Sequence, residues 1–405
     1  MKLAMTLMVR DEADIITPMI EHHLNQGVDI IIVTDNGSVD GTTEILEEFA
    51  RGGLLELRHD PVHRKQQGVV VSEMAREASR RFDADWVFNA DADEFWMPVS
   101  PHLTLHQAFS QIDRGIQSFT VEVVDMTGPP ALTGTGFQRL VYRDLRSTEK
   151  LNAIGLHAHS TSDAAHIGDP DVTVVQGNHA VSLESRGGPP SDLAIEVLHF
   201  PWRSWVQFSR KVDNAGSSYL KSPDLNPSAN HHGMRDYGRL QDDTLYPSYL
   251  YRHPSADALA NGLLSGDFLL DRRLADTLHS PVPDHLPEPN QRDWTLGKAF
   301  AALEFKIVGL ERVNCEKSQQ IDEKSREIDE KSHQIDEKSH QIDEKSREID
   351  DLAAQHLAVQ TELAAEKEGS LREREVLEAM QHRKIVRATD KISEHVKRFG
   401  SRKPG

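Results

Sequence analysis

Three carboxylates fall within four consecutive positions of this chain, directly after a short apolar run. Asp91, Asp93 and Glu94 follow the run at 86–88, which is typical of the end of a buried strand. Two aspartates separated by one residue place hard oxygen ligands on one turn, where Mg²⁺ or Mn²⁺ can bind together with water and a diphosphate. A solvated acidic turn is the alternative, since acidic triplets are common in loops. The pattern therefore makes Asp91 and Asp93 candidate metal ligands.

The segment 1–90 alternates short apolar runs with helical patterns. Strands are predicted at 3–9, 30–33, 54–57 and 86–88. Helices are predicted at 14–26, 42–51 and 69–81. Alternation at this pitch predicts parallel strands joined by right-handed crossovers, with ligands beyond the carboxyl ends of the strands. The polar clusters expected to line that one rim lie at 10–12, 35–42, 60–67 and 91–94.

In these segments the chain resembles the family 2 glycosyltransferases with the GT-A fold. The matching segments are Val-Arg-Asp-Glu-Ala at 9–13, His-His at 22–23 with Gly-Val-Asp at 27–29, Asp-Asn-Gly-Ser at 35–38 with Asp-Gly-Thr at 40–42, and Asp-Ala-Asp-Glu-Phe at 91–95. Further along, the segment 198–204 with Phe208 and Lys211 looks like the histidine segment of the D-x-D-E-F branch. The resemblance spans about residues 1–220. Asp11 departs from it, because the family commonly has Asn at that position.

The resemblance implies a metal-dependent, inverting transfer of a sugar from a nucleoside-diphosphate sugar to a glycan or lipid-linked acceptor, with Mn²⁺ or Mg²⁺ as cofactor. It implies a mixed α/β sheet flanked by helices. It further implies that Asp93 binds the metal directly and that Asp91 reaches the donor ribose or a metal-bound water. His199 would be a metal ligand or a phosphate contact, whereas a lone histidine on a strand is more often a hydrogen-bonded core residue.

Three further donor-binding residues follow from the resemblance, namely Arg10, Glu12 and Asp35. Asp35 would accept a hydrogen bond from the nucleobase, and the other two would shape the base and ribose pocket. The alternative for Asp35 and Asp40 is turn and N-cap chemistry, since Asp, Asn, Gly and Ser favour this geometry.

An inverting enzyme also needs a base within hydrogen-bond reach of the acceptor hydroxyl, usually a carboxylate. Four carboxylates in or near the segment expected to face the acceptor are candidates, namely Asp125, Asp169, Asp171 and Glu196. The sequence does not choose among them. Three more histidines that could reach the cleft are His157, His159 and His179.

Composition fits an enzyme with a polar extension. The 405 residues carry a formal net charge of -19, which argues against general nucleic-acid binding because phosphate contacts need basic surface. We expect no signal peptide and no transmembrane segment, since no apolar run approaches roughly 18 residues. Cys315 is the only cysteine, so an internal disulfide is impossible. The predicted location is the cytoplasm, with possible peripheral contact at the inner face of the membrane.

Composition shifts predict four regions in the chain. These are a catalytic domain at 1–220, a helical and loop extension at 221–295, a long helix at 296–380 and a basic tail at 381–405. A helical segment is expected around 256–277, followed by a proline-rich break within 281–289.

The long helix contains five consecutive heptads of the form E-K-S-x-x-I-D at 316–350. A strong coiled coil has two apolar seam positions per heptad, whereas only isoleucine recurs here, with Ser or Lys at the second position. We therefore expect a long helix that self-associates weakly, a weak coiled coil. A solvated single helix is the alternative.

The tail at 381–405 reverses sign, with eight Lys or Arg against two acidic residues, a net +6. A basic amphipathic helix can lie on an anionic membrane surface, whereas the end of a coiled coil with a charged exterior is the bland alternative. For the whole chain, two competing functions are a nucleotidyltransferase and a non-catalytic scaffold whose helix binds a partner.

Overall fold

The computed structural model describes residues 1–62, 66–156, 158–221, 232–288, 290–336 and 352–367, with the positions 369–370, 374, 379–380 and 393. The chain divides into two units, Met1–Leu310 and Glu311–Gly405. The first unit contains the sheet, and the second is helical where it is described. The predicted region boundaries at 220, 295 and 380 stay predictions.

Ten strands lie in the described residues and form one mixed sheet. The strands are β1 Leu3–Val9, β2 Ile30–Asp35, β3 Glu56–His59, β4 Trp86–Ala90, β5 Glu94–Pro98, β6 Ser118–Thr127, β7 Tyr142–Asp144, β8 Asp163–Ile167, β9 Ile195–His199 and β10 Phe268–Leu270. Their order is β10-β7-β6-β8-β4-β1-β2-β3, and β9 pairs with both β5 and β6. The first four strands are mutually parallel, as predicted, and β8 joins β4 in the antiparallel sense.

Helices flank the sheet and continue beyond it. They are α1 Ile16–Asn25, α2 Thr42–Arg51, α3 Gln67–Phe82, α4 Leu105–Gln111, α5 Thr148–Ala153, α6 Trp205–Leu220, α7 His232–Gln241, α8 Leu245–Arg252, α9 Ala256–Ser265 and α10 Gln291–Asp336. The predicted mixed α/β sheet flanked by helices is therefore confirmed. The helix expected over 256–277 is wrong beyond 265, because Gly266 ends α9 with a φ of 80° and β10 then pairs with β7.

Two apolar layers cover the two faces of the sheet, because successive strand side chains point to opposite faces. In β1, Leu3 and Met5 pack into the larger layer with Phe88 and Phe109, whereas Ala4 packs into the second layer beneath α3. Because both faces of the sheet are covered, β1 is apolar at every position except Thr6. A third apolar cluster joins α6 to α8.

The ends of the parallel strands lie at one edge of the sheet. Val9 is in register with Asp35, and Leu7 is in register with Ala90. The loops that follow β1, β2 and β4 therefore begin side by side, which brings their polar residues together.

None of the helices in the described part of the chain is long and apolar enough to cross a membrane. The first three heptads, at 316–336, are helical within α10. The heptads at 337–350 lie outside the described residues, and so does the predicted basic tail apart from position 393.

Candidate active site

A cleft of about 230 Å³ opens beyond the carboxyl ends of β1, β2 and β4. Its loop wall is formed by Arg10, Asp11, Glu12, Asn36, Gln67, Asp91, Ala92 and Asp93, next to Met8 and Val9. Its helical wall is formed by Gln207, Lys211, Asn214, Ala215 and Ser218 of α6. The α6 residues recur at three- and four-residue spacing and so share one helix face. The loops predicted to line one rim thus meet here, with a helix facing them.

Asp93 lies at the floor of this cleft and is surrounded by positive groups. The Nζ of Lys211 donates to its Oδ2 at 2.5 Å, and Nη1 of Arg203 and Nε2 of His199 lie 3.5 and 3.7 Å from the same oxygen. Burial alone would raise the pKa of Asp93, but Lys211, His199 and Arg203 hold it well below its usual value. Asp93 is therefore a buried carboxylate that stays ionised because of three cationic neighbours.

A hydrogen-bond network behind Asp93 fixes the ring of His199. Nδ1 of His199 lies 2.8 Å from Oδ1 of Asp125, which also accepts from Oγ of Ser160 at 2.8 Å. Nδ1 of His159 lies 3.1 Å from the other oxygen of Asp125. Burial alone would raise the pKa of Asp125, but the bonds from His159 and His199 hold it well below its usual range. Burial alone would lower the pKa of His199, but Asp93 and Asp125 raise it to about 10.

Asp91 is held by amide groups. Its Oδ1 accepts from Nε2 of Gln67 at 2.7 Å and from Nδ2 of Asn178 at 3.2 Å, while its backbone N donates to Oε2 of Glu94 at 2.8 Å. Burial, with Asp91 and Asp163 nearby, raises the pKa of Glu94 well above its usual value. Burial likewise raises the pKa of Asp163 to about 7. Asp91, Glu94 and Asp163 therefore form an acidic cluster in which burial favours the protonated forms of Glu94 and Asp163.

The loop after β1 shapes the opposite end of the cleft. Nη1 of Arg10 donates to the carbonyl of Asn36 at 2.5 Å. Asp11 has a φ of 58°, in the left-handed region that Asp and Asn visit more readily than most residues. Its carboxylate accepts from the backbone N of Val39 at 2.7 Å and from Nδ2 of Asn214 at 2.8 Å. Asp11 therefore fits the backbone geometry at the position where the resemblance favours Asn.

Asp35 and Glu12 are both engaged by neighbouring side chains. Asp35 is buried, is not among the residues lining the cleft, and accepts from N and Oγ of Ser38 at 3.1 and 2.6 Å and from Oγ1 of Thr43 at 2.6 Å. These bonds favour the turn-chemistry alternative. Glu12 lines the cleft and pairs with Arg203. Burial raises the pKa of Glu12 to about 7, with Arg203 acting in the opposite direction.

Glu196 lies on β9 in a cluster of alternating charges. Its two oxygens accept from Arg143 at 2.7 Å and from Arg273 at 2.6 Å, and both guanidinium groups also hold Asp271. The contacts therefore favour a structural role for Glu196, and those of Asp125 favour positioning of His199 over proton transfer.

Among the described residues, the other two candidate histidines, His159 and His179, do not line the cleft. His159 contacts Asp125, as described above, and Nδ1 of His179 lies 3.4 Å from Oδ1 of Asp163. His157 lies outside the described residues.

Sequence reasoning named Lys211 within the histidine segment but missed the rest of the helical wall and the buried role of Arg203. The Arg203 side chain is fully buried, and its Nε donates to Asp14 at 2.8 Å while it also pairs with Glu12. It thereby ties the segment before α1 to the floor of the cleft. The spacing of Gln207, Lys211 and the residues at 214, 215 and 218 could have revealed a polar helix face, but contact between that face and the loops depends on the tertiary fold.

Of the three predicted metal ligands, Asp93 and His199 are neighbours, whereas Asp91 is not grouped with them. Nε2 of His199 and Oδ2 of Asp93 lie 3.7 Å apart, longer than the roughly 3.0 Å expected for adjacent ligands bound at about 2.1 Å to one octahedral cation. A carboxylate on the far ring nitrogen, here Asp125, is usual for a metal-binding histidine. Asp91 does not join them: in the described part of the chain, no group of three His, Cys, Asp or Glu side chains is arranged to hold a metal. Asp93 and His199 are therefore neighbours that would have to move closer together to share one octahedral cation.

Residues 5–125 match the sequence model of glycosyltransferase family 92. The matched segment is less than a third of the 405-residue chain and includes Asp91, Asp93 and Asp125. The match identifies a glycosyltransferase domain, which confirms the predicted class of enzyme. The matching family is 92 and not 2, so the resemblance holds only at this broader level. No curated protein sequence matches the chain.

Several solved structures share a distant likeness with the chain. TarS of S. aureus is 13% identical over 65% of this chain and 45% of its own length, with a TM-score of 0.30. Its fragment 1–349 in complex with UDP-GlcNAc is 15% identical over 65% of this chain and 75% of its own, with a TM-score of 0.27. Glucosyl-3-phosphoglycerate synthase from Mycobacterium tuberculosis, with Mn²⁺, UDP and phosphoglyceric acid, is 18% identical over 41% of this chain and 55% of its own, with a TM-score of 0.21. The chain spans less than half the length of full TarS, and at these scores the likenesses establish neither substrate nor cofactor.

Proposed function

We propose that the protein transfers a sugar from a nucleoside-diphosphate sugar to a hydroxyl group of a glycan or lipid-linked acceptor, with inversion at the anomeric carbon. The observation that carries this proposal is the floor of the cleft, where Lys211, Arg203 and His199 converge on buried Asp93. A departing diphosphate gains negative charge as its bond to the anomeric carbon breaks, and fixed positive groups stabilise that charge. The family match over residues 5–125 supports the same class of reaction.

The three cationic residues have different access to a donor. Lys211 lines the cleft and its side chain is 43% exposed, so its ammonium can contact a diphosphate directly. Arg203 is fully buried and tied to Glu12 and Asp14, so it sets the potential at the floor without leaving its position. Lys211 is therefore the proposed phosphate contact, and Arg203 is a positioning residue.

A divalent cation, Mn²⁺ or Mg²⁺, belongs to this proposal. Asp93 and His199, the latter after losing its Nε2 proton, would hold it, and when bound it would supply positive charge beside the diphosphate in place of the imidazolium. Lys211 occupies the same oxygen of Asp93, so cation binding requires its ammonium to turn towards the cleft. Asp91, held by amide groups, is proposed as a donor contact.

Arg10 and Glu12 line the cleft and stay proposed donor contacts. Asp35 is proposed to brace the loop after β2, since its oxygens are engaged by Ser38 and Thr43. Inversion requires a base on the acceptor side, and the contacts of Asp125 with His199 and of Glu196 with two arginines support positioning roles for both. The anomeric configuration of the product, read by proton NMR, tests inversion directly.

Membrane contact through the basic tail at 381–405 is a separate part of the proposal, suited to a lipid-linked acceptor. Co-sedimentation with anionic vesicles should be stronger for the full chain than for a chain ending at residue 369. Equal binding by the two chains would remove the tail from the proposal.

The central experiment is a donor panel of UDP-, GDP- and dTDP-sugars, incubated with the full chain and either Mn²⁺ or EDTA. Release of a nucleoside diphosphate is expected, and Asp93→Asn should lower its rate about 100-fold or more, in the range of lost electrostatic stabilisation at an active site. Asp83→Asn is the matched control, since Asp83 is exposed and sits at a left-handed position that asparagine tolerates. Release of pyrophosphate would instead identify a nucleotidyltransferase.

Cation binding needs a readout independent of turnover. The signal of free Mn²⁺ in electron paramagnetic resonance should fall on addition of the wild-type chain and fall much less with His199→Ala. An Asp93→Asn chain that turns over donor as fast as Asp83→Asn would refute the proposed site, and equal Mn²⁺ binding by wild type and His199→Ala would refute the cation site alone.

A further inference from the structure

The heptads of α10 have a fixed order of charges around their isoleucine. The first three heptads, Glu316 to Asp336 in sequence, are helical. With isoleucine at seam position d, each heptad reads Ser at a, Ile at d, Asp at e, Glu at f and Lys at g. The other register would place Lys at the second seam position, which costs more than Ser because an ammonium must be desolvated. Serine and isoleucine therefore form the seam.

This seam is uncovered within one chain. Ile321 is 37% exposed, and every side chain from 316 to 326 is exposed. Lys317, Asp322 and Lys324 form no ion pair among the described contacts of this helix. Their charges are therefore available to another helix.

We infer that the occupant of this seam is the same helix of another copy of this chain, aligned parallel and in register. In a parallel pair, each g position faces the e position of the following heptad on the other helix. Every g is Lys and every e is Asp, so Lys317 faces the aspartate at 322 and Lys324 faces that at 329. In an antiparallel pair, g faces g and e faces e, which sets lysine against lysine and aspartate against aspartate.

The seam residues favour the same alignment. Parallel helices in register pair d with d and a with a, so isoleucine packs on isoleucine and the small serines meet one another. An antiparallel pair would set each isoleucine against a serine and would bury less apolar surface in every layer. Charge and packing therefore select one orientation, although the small seam keeps the association weak. The inference is independent of the proposed sugar transfer.

The only cysteine of the chain gives a direct test. Cys315 is exposed and immediately precedes the first heptad. In the parallel pair the two thiols lie within reach of a bismaleimide of about 13 Å, since helices pack roughly 8–10 Å apart. In an antiparallel pair over the 21 residues of the three helical heptads they would be about 30 Å apart at 1.5 Å per residue, beyond the reach of that reagent. The full-length chain should thus give a covalent dimer through Cys315.

Charge variants of the full-length chain separate specific pairing from random collision. Changing all five g lysines to Glu (317, 324, 331, 338 and 345) should lower the cross-linked yield about ten-fold, because every facing pair becomes repulsive. The matched control changes the five f glutamates to Lys (316, 323, 330, 337 and 344), which alters the charge by the same amount on the outer face. It should cross-link like wild type.

A rescue variant keeps the test decisive if the lysine variant loses its helix. In this variant the five g lysines are Glu, as before, and the five e aspartates are also changed to Lys. Facing e and g positions then carry opposite charges again, which should restore the cross-link. Association of the wild type by sedimentation without a Cys315 cross-link would overturn the parallel alignment. A monomeric wild-type chain, or an f variant that loses the cross-link as fully as the g variant, would overturn the inference altogether.

Discussion

The buried carboxylate of Asp125 holds His199 in place, so Asp125→Asn should lower both stability and turnover. The carboxylate accepts four hydrogen bonds, from His199, His159 and both the Oγ and backbone N of Ser160. Asparagine keeps the shape but loses the charge, and its amide group would face an imidazole N–H with another donor. A bond to a charged partner contributes roughly 1.5–3 kcal/mol, and loss of one partner of a buried pair costs roughly 3–5 kcal/mol, so we expect a loss of about 3 kcal/mol.

Turnover of donor should fall by about 10- to 100-fold, the usual effect of removing a group that orients a site histidine. The free energy of unfolding is measured by urea titration in EDTA, and turnover by release of nucleoside diphosphate. Glu122→Gln is the matched control, because Glu122 lies on the same strand but is exposed. The control should stay within about 0.5 kcal/mol of wild type.

The stability difference between wild type and Asp125→Asn should change with pH in a defined direction. His199 has a pKa of about 10 in the folded chain against about 6.5 when unfolded. Its contribution to the free energy of unfolding is therefore complete below about pH 6.5 and is lost as pH rises towards 10. The pKa of Asp125 is lowered, so its contribution is lost as pH falls below about 4. The difference between wild type and Asp125→Asn should therefore be largest between about pH 4 and 6.5 and should shrink by about pH 9. A difference that grows with pH, or an Asp125→Asn chain indistinguishable from Glu122→Gln, would refute this reasoning.

Other variants test separate parts of the structure. Gly216→Ala should destabilise the chain by roughly 1–3 kcal/mol in urea titration, because the new methyl would lie 2.1 Å from the ring of Tyr237, whereas Gly238→Ala meets nothing within 4 Å and should stabilise its helix by about 0.5–1 kcal/mol. Arg203→Met should cost roughly 3–5 kcal/mol because it removes a buried guanidinium from the partly buried Glu12 and Asp14, whereas Arg210→Met, at a half-exposed pair, should cost less than about 1 kcal/mol; equal effects would contradict the buried tether. Three buried histidines have pKa values lowered, mainly by burial, to about 4, 4 and 3: His22, His166 and His253. The stability that each neutral histidine contributes is present above about pH 6.5 and is lost as pH falls, so the free energy of unfolding should drop by roughly 1 kcal/mol per histidine between about pH 7.5 and 5.5. In a His166→Gln chain this drop should be smaller by roughly 1 kcal/mol.

Local pattern was sufficient for the first half of the sheet. Short apolar runs, and apolar residues at three- and four-residue spacing, predicted β1 to β4 and α1 to α3, because these elements are specified by their own residues. The same reasoning failed at 256–277, where Gly266 ends a helix and a distant strand, β7, recruits the following residues. Pairing with a partner far away in sequence overrides local propensity.

At the site, the sequence alone determined which carboxylates follow the buried strands, and hence that Asp91 and Asp93 lie at the rim. Only the tertiary structure decided which side chains surround them. Helix α6 and strand β9 bring Lys211 and His199 to Asp93, while amide groups hold Asp91. The physical reason is that side chains project from a strand end according to local geometry, whereas the charge they meet depends on chain packed there from more than 100 residues away. The roles of a carboxylate as ligand, ion-pair partner or hydrogen-bond acceptor are set by that surrounding charge.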